Sequence, residues 1–493
     1  MAINLSRNTK VYFTTNVDPN TGAIKDAATG YSAYSSANLF EIGVLDGYSF
    51  SQNTQNQSIN VNEAGSNAVR GQRSFNTQLD PVDFSFSSYI RPFSGATNVD
   101  PQERILWNAL LGAANLDVAG TGVAVSSASR SATSSPTATV VCAAAVTQTV
   151  NGVAAALAVG DILNLTGFAT AGQATWNVPG IVQSVPAAGT YVVEMSRAPA
   201  AGAGLTGTTS AATKAFAGQW APGPKGTASG SFSYAHTLGS NKNLFQRFGL
   251  IFVVDQVVYA VDNCFMDQVS VDFGLDQIAT AAWTGKGTFL KQLTTAGLAG
   301  TAGVFATTAI ANPAAAPYIT NKLSTMQLVS NIGGADFTGS TAYTVALTGG
   351  NLTIANNVNY LVPANLGVIN QAIGYFPGQR SISGNVTAYL RTGESFTASG
   401  DLLKNMLTLV SSGNVGAIEP KFRLQLELGG ASNATRVEFE MPGATITVPS
   451  VNIADVVATT INFTAQAFSP DTQVTQVFDL TRTNELQARF YSA

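Results

Sequence analysis

Apolar and polar side chains alternate with a period of two at several places along the chain, and this pattern limits the fold more than any other feature. Val82, Phe84, Phe86, Ser88 and Ile90 alternate with Asp83, Ser85, Ser87, Tyr89 and Arg91. Ile382, Gly384, Val386, Ala388 and Leu390 do the same against Ser383, Asn385, Thr387, Tyr389 and Arg391. Val269, Val271 and Phe273 make a third case, and Ala444, Ile446 and Val448 a fourth. Successive side chains of a strand point to opposite faces, so such segments are strands with one wet face and one buried face. Helical periodicity is rarer. Asp100 as N-cap, Pro101 at the first helical position and Glu103 as capping-box acid predict a helix carrying Ile105, Leu106, Ala109 and Leu110, stopped by Gly112. A second helix is expected after Ser399, with Leu402, Leu403, Met406, Leu407 and Val410 as its stripe and Gly413 at its end. The fold class is mainly β: sandwich-like or barrel-like domains, each with one flanking helix.

These pieces recur in order. Gly71-Gln72-Arg73-Ser74 reappears as Gly378-Gln379-Arg380-Ser381, and Ser88-Tyr89-Ile90-Arg91 matches Ala388-Tyr389-Leu390-Arg391 at an offset of 300. Ile105-Leu106 matches Leu402-Leu403 at 297, and Trp283-Thr284 resembles Phe463-Thr464 at 180. The pattern reads as a tandem duplication. The offset falls by 120 because the first copy holds residues that the second lacks. They fall between Leu116 and Gln219, a stretch rich in Ala, Gly, Ser and Thr with six charged residues. Ile162-Leu163-Asn164-Leu165 and Tyr191-Val192-Val193-Glu194-Met195 are strand-like there, which predicts a small inserted β domain. The expected organisation is a first domain in two pieces (1–115 and 220–296), an insert at 116–219, a linker at 297–317, a second domain at 318–470 and a C-terminal arm at 471–493.

A chain of 493 residues has room for about three domains. Charged residues are 11 % of it, against about 25 % in a typical soluble protein. So little charge suggests surface buried against copies of the same chain. The net charge of −4 argues against a protein that grips nucleic acid through a basic surface. Two cysteines give no disulfide framework, and no CxxC is present. No apolar run approaches the ~18 residues of a membrane-spanning helix, and MAINLSRNTK lacks an apolar signal core. The chain is therefore expected to be made, and kept or assembled, in a cytosol.

Candidates for chemistry are few. His236, the one histidine, has no evident nucleophile or orienting acid and reads as structural or surface. Cys142 and Cys264 read as buried small residues. Asp267, Asp272 and Asp276 have a cation-ligand spacing but no EF-hand loop, and Gly285-Lys286-Gly287 lacks a full Walker pattern. No catalytic, metal or cofactor site is expected, and the chain is not expected to be an enzyme. Arg73 and Arg380 occupy matching turns, as Arg91 and Arg391 occupy matching strand ends. They serve either contacts between repeats or subunits, or solvation. The Asn/Gln-rich run from Ser51 to Asn62 is either an arm reaching a neighbour or a loop.

Several segments together resemble a known family. Leu5-Ser6-Arg7-Asn8-Thr9-Lys10-Val11-Tyr12 opens the series, followed by Val61-Asn62-Glu63-Ala64-Gly65, Arg70-Gly71-Gln72-Arg73-Ser74-Phe75-Asn76, Phe84 to Ile90 and Leu106-Trp107-Asn108-Ala109-Leu110. Tyr318 to Leu323, Thr348 to Ile354 and Gly384 to Leu390 continue it in the second half. The chain resembles the two-domain tail tube (major tail) proteins of long, non-contractile-tailed bacteriophages, over roughly residues 1–115 and 226–468, with the insert outside the match.

The resemblance implies tandem tube domains, stacked trimeric rings with six-fold-like symmetry, and sheets joined around a lumen. The tube would enclose the tape-measure protein during assembly and conduct DNA without binding it during ejection. Tail-tip and tail-terminator proteins would be further partners, and the protein would belong to the virion. Ser85, Ser87, Tyr89, Asn385, Thr387 and Tyr389 are the candidate lumen-facing residues; Asn62, Glu63, Arg70, Arg73 and Arg380 are candidate contacts between subunits or rings. The insert would decorate the outer wall. An adhesive or carbohydrate-binding β protein is the alternative, and would show exposed aromatic platforms on a monomer or small oligomer.

Overall fold

The computed structural model describes residues 9–491 with interruptions between elements, the longest at 26–37, 60–72, 112–122, 196–210, 235–244, 294–317, 331–341 and 466–485. It is mainly β. Val82–Tyr89 buries Val82, Phe84, Phe86 and Ser88 and turns Asp83, Ser85, Ser87 and Tyr89 toward the opposite face, as the alternation predicts. Ser381–Tyr389 buries Ile382, Val386 and Ala388, and Val269, Val271 and Phe273 are likewise inside. Ala444 and Ile446 are buried too, while Val448 lies outside the described residues.

One order of strand pairing occurs twice. In the first half Leu39–Ile42 pairs with Thr9–Thr14, which pairs with Phe248–Val254, and that with Val257–Gly274. Val257–Gly274 then pairs with Thr280–Gly287, which pairs with Val82–Tyr89, and that with Ser49–Ser51. In the second half the order runs Ala342–Val345, Thr325–Ser330, Lys421–Gly429, Arg436–Ile446, Ala458–Ala465, Ser381–Tyr389, Leu347–Ala355. Val257–Gly274 serves two layers. Its first part also pairs with Phe289–Leu293, and from Phe265 onward it pairs with Thr280–Gly287, with a register shift at Met266/Gln268. A bulge bends and twists a strand, and here it carries the chain from one sheet to the other. Arg436–Ile446 does the same, pairing with Leu486–Tyr491 at one end and Ala458–Ala465 at the other. Leu486–Tyr491, within the expected C-terminal arm, is thus a strand of the second half, and Gly230–Tyr234 pairs on its far side.

The halves meet through backbone. Gln268–Gly274 pairs antiparallel with Gly349–Ala355, so the sheets of the two halves become one. Beneath it lies a shared core that includes Phe86, Trp107, Trp283, Leu352, Phe439 and Phe463. One packing detail is mirrored. Phe84 lies opposite Gly285, and a Cβ on Gly285 would collide with the Phe84 ring. In the second half the glycine is Gly384, on the strand matching Phe84's, and the ring is Phe463 on the other strand. Each site holds one aromatic ring, supplied from opposite strands.

Helix α1 spans Arg104–Leu111 and buries Ile105 to Leu111. It starts later than its capping residues predict, because Asn98–Pro101 is a strand paired with Pro92–Ser94. Glu103 is nevertheless at the helix start. Its carbonyl accepts from Leu106 N at 2.9 Å, and its buried carboxylate accepts from Trp107 Nε1 at 3.2 Å and Arg91 N at 3.3 Å. Helix α2 spans Ser399–Ser411 and buries Leu402 and Met406. Leu407, expected in the same stripe, is exposed, because the apolar side of α2 is narrower than its leucines suggest. Gly112, Gly413 and the 297–317 linker lie outside the described residues. Arg91, expected on the wet face, is buried. The strand ends at Tyr89, and the guanidinium turns over the Tyr318 ring, 4.3 Å from its centroid.

Between the two pieces of the first half, six strands close a separate barrel: Val123–Ser129, Thr137–Cys142, Thr190–Met195, Pro179–Ala187, Ile162–Thr166 and Ala211–Ala215. It has its own core, with Val140, Leu163, Trp176, Tyr191 and Val193 fully inside. Closure leaves it no free strand edge.

Two predictions follow from the core. Gly285→Ala destabilises the chain by about 1–3 kcal/mol through overpacking, and costs less in a Phe84→Ala background. Gly384→Ala is relieved less by Phe463→Ala, because its added Cβ would meet the Asn351 carbonyl oxygen as well as the ring. Urea unfolding of the four variants in each cycle measures this coupling. The second concerns Glu103, whose pKa burial pushes up to about 7. The native state keeps a proton that the unfolded chain loses near pH 4.5, so stability falls as pH rises from about 4.5 through 7. The full loss is about 3 kcal/mol. Unfolding midpoints of the dispersed chain should show this slope, and Glu103→Gln should flatten it.

Candidate functional site: the polar face of the joined sheet

Joining the two sheets lines up their wet faces. A row crosses both halves from Tyr89 through Thr280, Asp272, Asn351 and Asn385 to Asn462. The next runs Ser87, Ala282, Ser270, Thr353, Ser383, Thr464, Thr445. Hydroxyls and amides dominate, and they bond laterally. Asn351 Nδ2 donates to Ser270 Oγ at 2.6 Å and also to Asp272, across the joint between the halves. Thr353 Oγ1 donates to Asn351 Oδ1 at 2.9 Å, and Thr348 Oγ1 to Thr387 Oγ1 at 2.9 Å. The Ser49 and Ser85 hydroxyls are 2.8 Å apart. Groups engaged with one another have less demand left for a passing ligand.

Charge on this face is sparse and mostly cancelled. Among the described residues of these strands, Lys286 is the one cation directed to it, and its Nζ is 3.2 Å from Asp83 Oδ1. A cleft of ≈ 290 Å³ opens beside this pair, lined by Ser49, Ser51, Asp83, Asp267, Thr284 and Lys286. Asp267 accepts from Val358 N at 2.6 Å, and burial raises its pKa. Asp272 is engaged by Asn351, and Asp276 lies 3.6 Å from Lys322. The three aspartates thus have separate partners. Among the described residues no group of three or more His, Cys, Asp or Glu is placed to hold a metal ion. Gly285-Lys286-Gly287 is part of a strand and presents no phosphate loop. Cys142 and Cys264 are buried free thiols, and burial raises both pKa values. His236 is outside the described residues.

The candidate lumen residues Ser85, Ser87, Tyr89, Asn385, Thr387 and Tyr389 all belong to the two strands on this face. The candidate contact residues are scattered. Asn62, Glu63 and Arg70 lie outside the described residues. Arg73 begins the strand Arg73–Leu79, which pairs with Thr54–Ile59, so the Asn/Gln-rich run is one side of a β-hairpin. Arg380 Nε donates to Asn356 Oδ1 at 3.1 Å within the chain.

Sequence reasoning did not anticipate a second hairpin, Asn359–Leu361 with Gly374–Phe376, that crosses onto the first half. Tyr375 stacks on Phe265 at 3.6 Å, and Tyr360 OH donates to the carbonyls of Asn263 (2.7 Å) and Lys286 (2.9 Å). Tyr360 and Tyr375 lie directly opposite in the hairpin, a pairing that a three-residue strand signals weakly in sequence.

Comparison with known proteins agrees with this geometry. A family model described as phage tail tube protein matches residues 177–470, beginning inside the stretch that the sequence resemblance left out. The chain is 22 % identical over 474 residues to the tail tube protein pb6 of Escherichia phage T5, covering 94 % of this chain and 73 % of that protein. More than half of the chain, including the joint and most of the polar face, falls within the family match, and the protein therefore belongs to the phage tail tube family.

Proposed function

We propose that this chain polymerises as stacked trimeric, pseudo-hexameric rings into the tube of a long, non-contractile tail, encloses the tape-measure protein during assembly and conducts DNA during ejection. The continuous polar face of the joined sheet carries the reading. A conduit must be wetted without retaining its cargo. Each phosphate neutralised by Lys or Arg strengthens binding by counterion release, and the face offers hydroxyls, amides and one paired lysine. Ser85, Ser87, Tyr89, Asn385, Thr387 and Tyr389 then line the lumen. Arg91 does not oppose this, since it is buried over Tyr318.

The repeated pairing order and the mirrored Phe84/Gly285 and Gly384/Phe463 sites support tandem duplication, so that one chain counts as two units of the ring. The 116–219 segment, with its separate barrel, is an insert on the outer wall, since a folded barrel would block a channel. The protein acts without catalysis, assembles in the host cytoplasm and meets tail-tip and tail-terminator proteins at the two ends of the tube.

Negative-stain microscopy of the purified chain, with its mass by light scattering, tests this directly. Hollow tubes or trimeric rings are expected; a stable monomer at high concentration means either that assembly needs a tail-tip initiator or that the adhesive reading replaces this one. Wall chemistry has its own test. Ser383→Lys with Asn385→Lys should leave tube formation intact but make DNA ejection slower and salt-dependent. Ejection times unchanged at low salt would exclude this face as the channel wall.

A further inference from the structure

The two halves build one strand of matching place with different connections. In the first half Phe289–Leu293 pairs with Val257–Gly274, and Thr288 alone separates it from Thr280–Gly287. In the second half Leu486–Tyr491 holds the matching place on Arg436–Ile446, yet residues 466–485 separate it from Ala458–Ala465. The span to be bridged is short. Ala465 pairs with Ala444, and Gln487 pairs with Glu440 on the same strand. Positions 440 and 444 of a strand lie about 13 Å apart. A connection of that length reaches up to about 66 Å when extended, several times what closure requires.

The strand is also set differently. Among the described residues Phe289–Leu293 pairs only with Val257–Gly274, and Phe289 is 40 % exposed. Leu486–Tyr491 has a strand on each side, Arg436–Glu440 on one and Gly230–Tyr234 on the other. Leu486, Ala488 and Phe490 are buried in the shared core, and the Phe490 ring lies 5.9 Å from that of Trp107 on α1. Backbone ladders give a sheet its hold on an extended peptide, and places for alternate side chains give it selectivity. The slot has both, and a strand on a long tether fills it.

We infer that the slot between Arg436–Glu440 and Gly230–Tyr234 is a peptide-binding site, which the chain fills with Leu486–Tyr491 as a detachable strap. Its ligand class is an extended peptide with apolar side chains at every second position, as in Leu486, Ala488 and Phe490. The strap ties the halves together a second time, because Gly230–Tyr234 lies on the return from the barrel to the first half. With the strap out, Gly230–Tyr234 keeps only Trp220–Ala221 as a paired neighbour among the described residues, and Trp107 loses one of its ring contacts. Arg436–Glu440 then has an open edge. Resting on the tube reading above, the closed strap is the form that enters a tube, since open strand edges pair with any chain that offers a strand.

Capture by a covalent bond reads the opening of the strap. Gln487 lies directly opposite Ser233, and Arg489 opposite Ser231. Opposite residues of an antiparallel pair have Cα atoms about 4.5–5.5 Å apart, within disulfide reach. Both native cysteines are buried, so the background thiols are protected. The dispersed Ser233→Cys chain, mildly oxidised with a peptide of residues 484–493 carrying Gln487→Cys, should gain the mass of the peptide over time. The Ser231→Cys chain, two positions off, should give little product, and so should the peptide that also carries Phe490→Asp. Equal capture by both chains, or capture indifferent to Phe490→Asp, would mean collision without docking. Capture by neither chain would mean a fixed strand. Each of these overturns the inference, whatever the chain assembles into. Phe490→Asp in the chain itself should abolish tubes, and the unaltered peptide should restore them. Tubes from that variant without peptide, or no rescue with it, would contradict the strap's role in assembly. Failure of the unmodified chain to assemble would remove the tube reading and leave the capture result standing.

Discussion

The antiparallel joint between Gln268–Gly274 and Gly349–Ala355 is the contact on which the rest of the structure depends. Without it each half is a sheet with an open edge beside its own core. With it the two sheets share one ladder of backbone hydrogen bonds, and their buried faces share one core. Register follows from chemistry on both sides. Val269, Val271 and Phe273 fall against Ile354, Leu352 and Gly350 on the buried side, while Ser270 and Asp272 meet Thr353 and Asn351 on the wet side. A one-residue slip would turn Val271 and Leu352 to water and bury Asp272, so the pattern holds the pairing in place.

In the proposed tube the joint would also account for the low charge of the chain. The wall would turn one face of its continuous sheet to a core and the other to a channel. Long charged side chains would have no place on the first and would hinder passage on the second. The short hydroxyls and amides satisfy one another laterally, as Asn351 does with Ser270 and Thr353. At the Phe84/Gly285 and Gly384/Phe463 sites the ring comes from opposite strands of matching pairs. A ring moved from one strand to its neighbour still fills the same space, provided that a glycine yields opposite it.

What the sequence disclosed follows from the range of each interaction. Alternation on Val82–Tyr89 and Ser381–Tyr389 is a local signal, and it marked both strands and their wet faces. Helix α1 starts later than its local signals predict because Asp100 and Pro101, which suit a helix start, pair with Phe93 and Pro92 in a strand. Arg91 leaves the wet face because the strand ends at Tyr89, although the period of two continues in the sequence. The joint itself was hidden. Nothing within either segment says that Val271 will meet Leu352, 81 residues later. The second hairpin was hidden for the same reason, since Tyr360 and Tyr375 find their partners Asn263 and Phe265 in the other half. The polar residues proposed for the lumen were legible as a face, but the surface that this face builds depends on pairings of long range.

The central claim is that one chain contributes both halves of its polar sheet face to a closed wall around a channel. A helical reconstruction of assembled tubes by electron cryo-microscopy tests this most directly. The account predicts three chains per ring, the Asp272–Asn351–Asn385–Asn462 row on the channel surface and the six-stranded barrel at outer radius. A ring of six chains, or a channel lined by the opposite face, would contradict it.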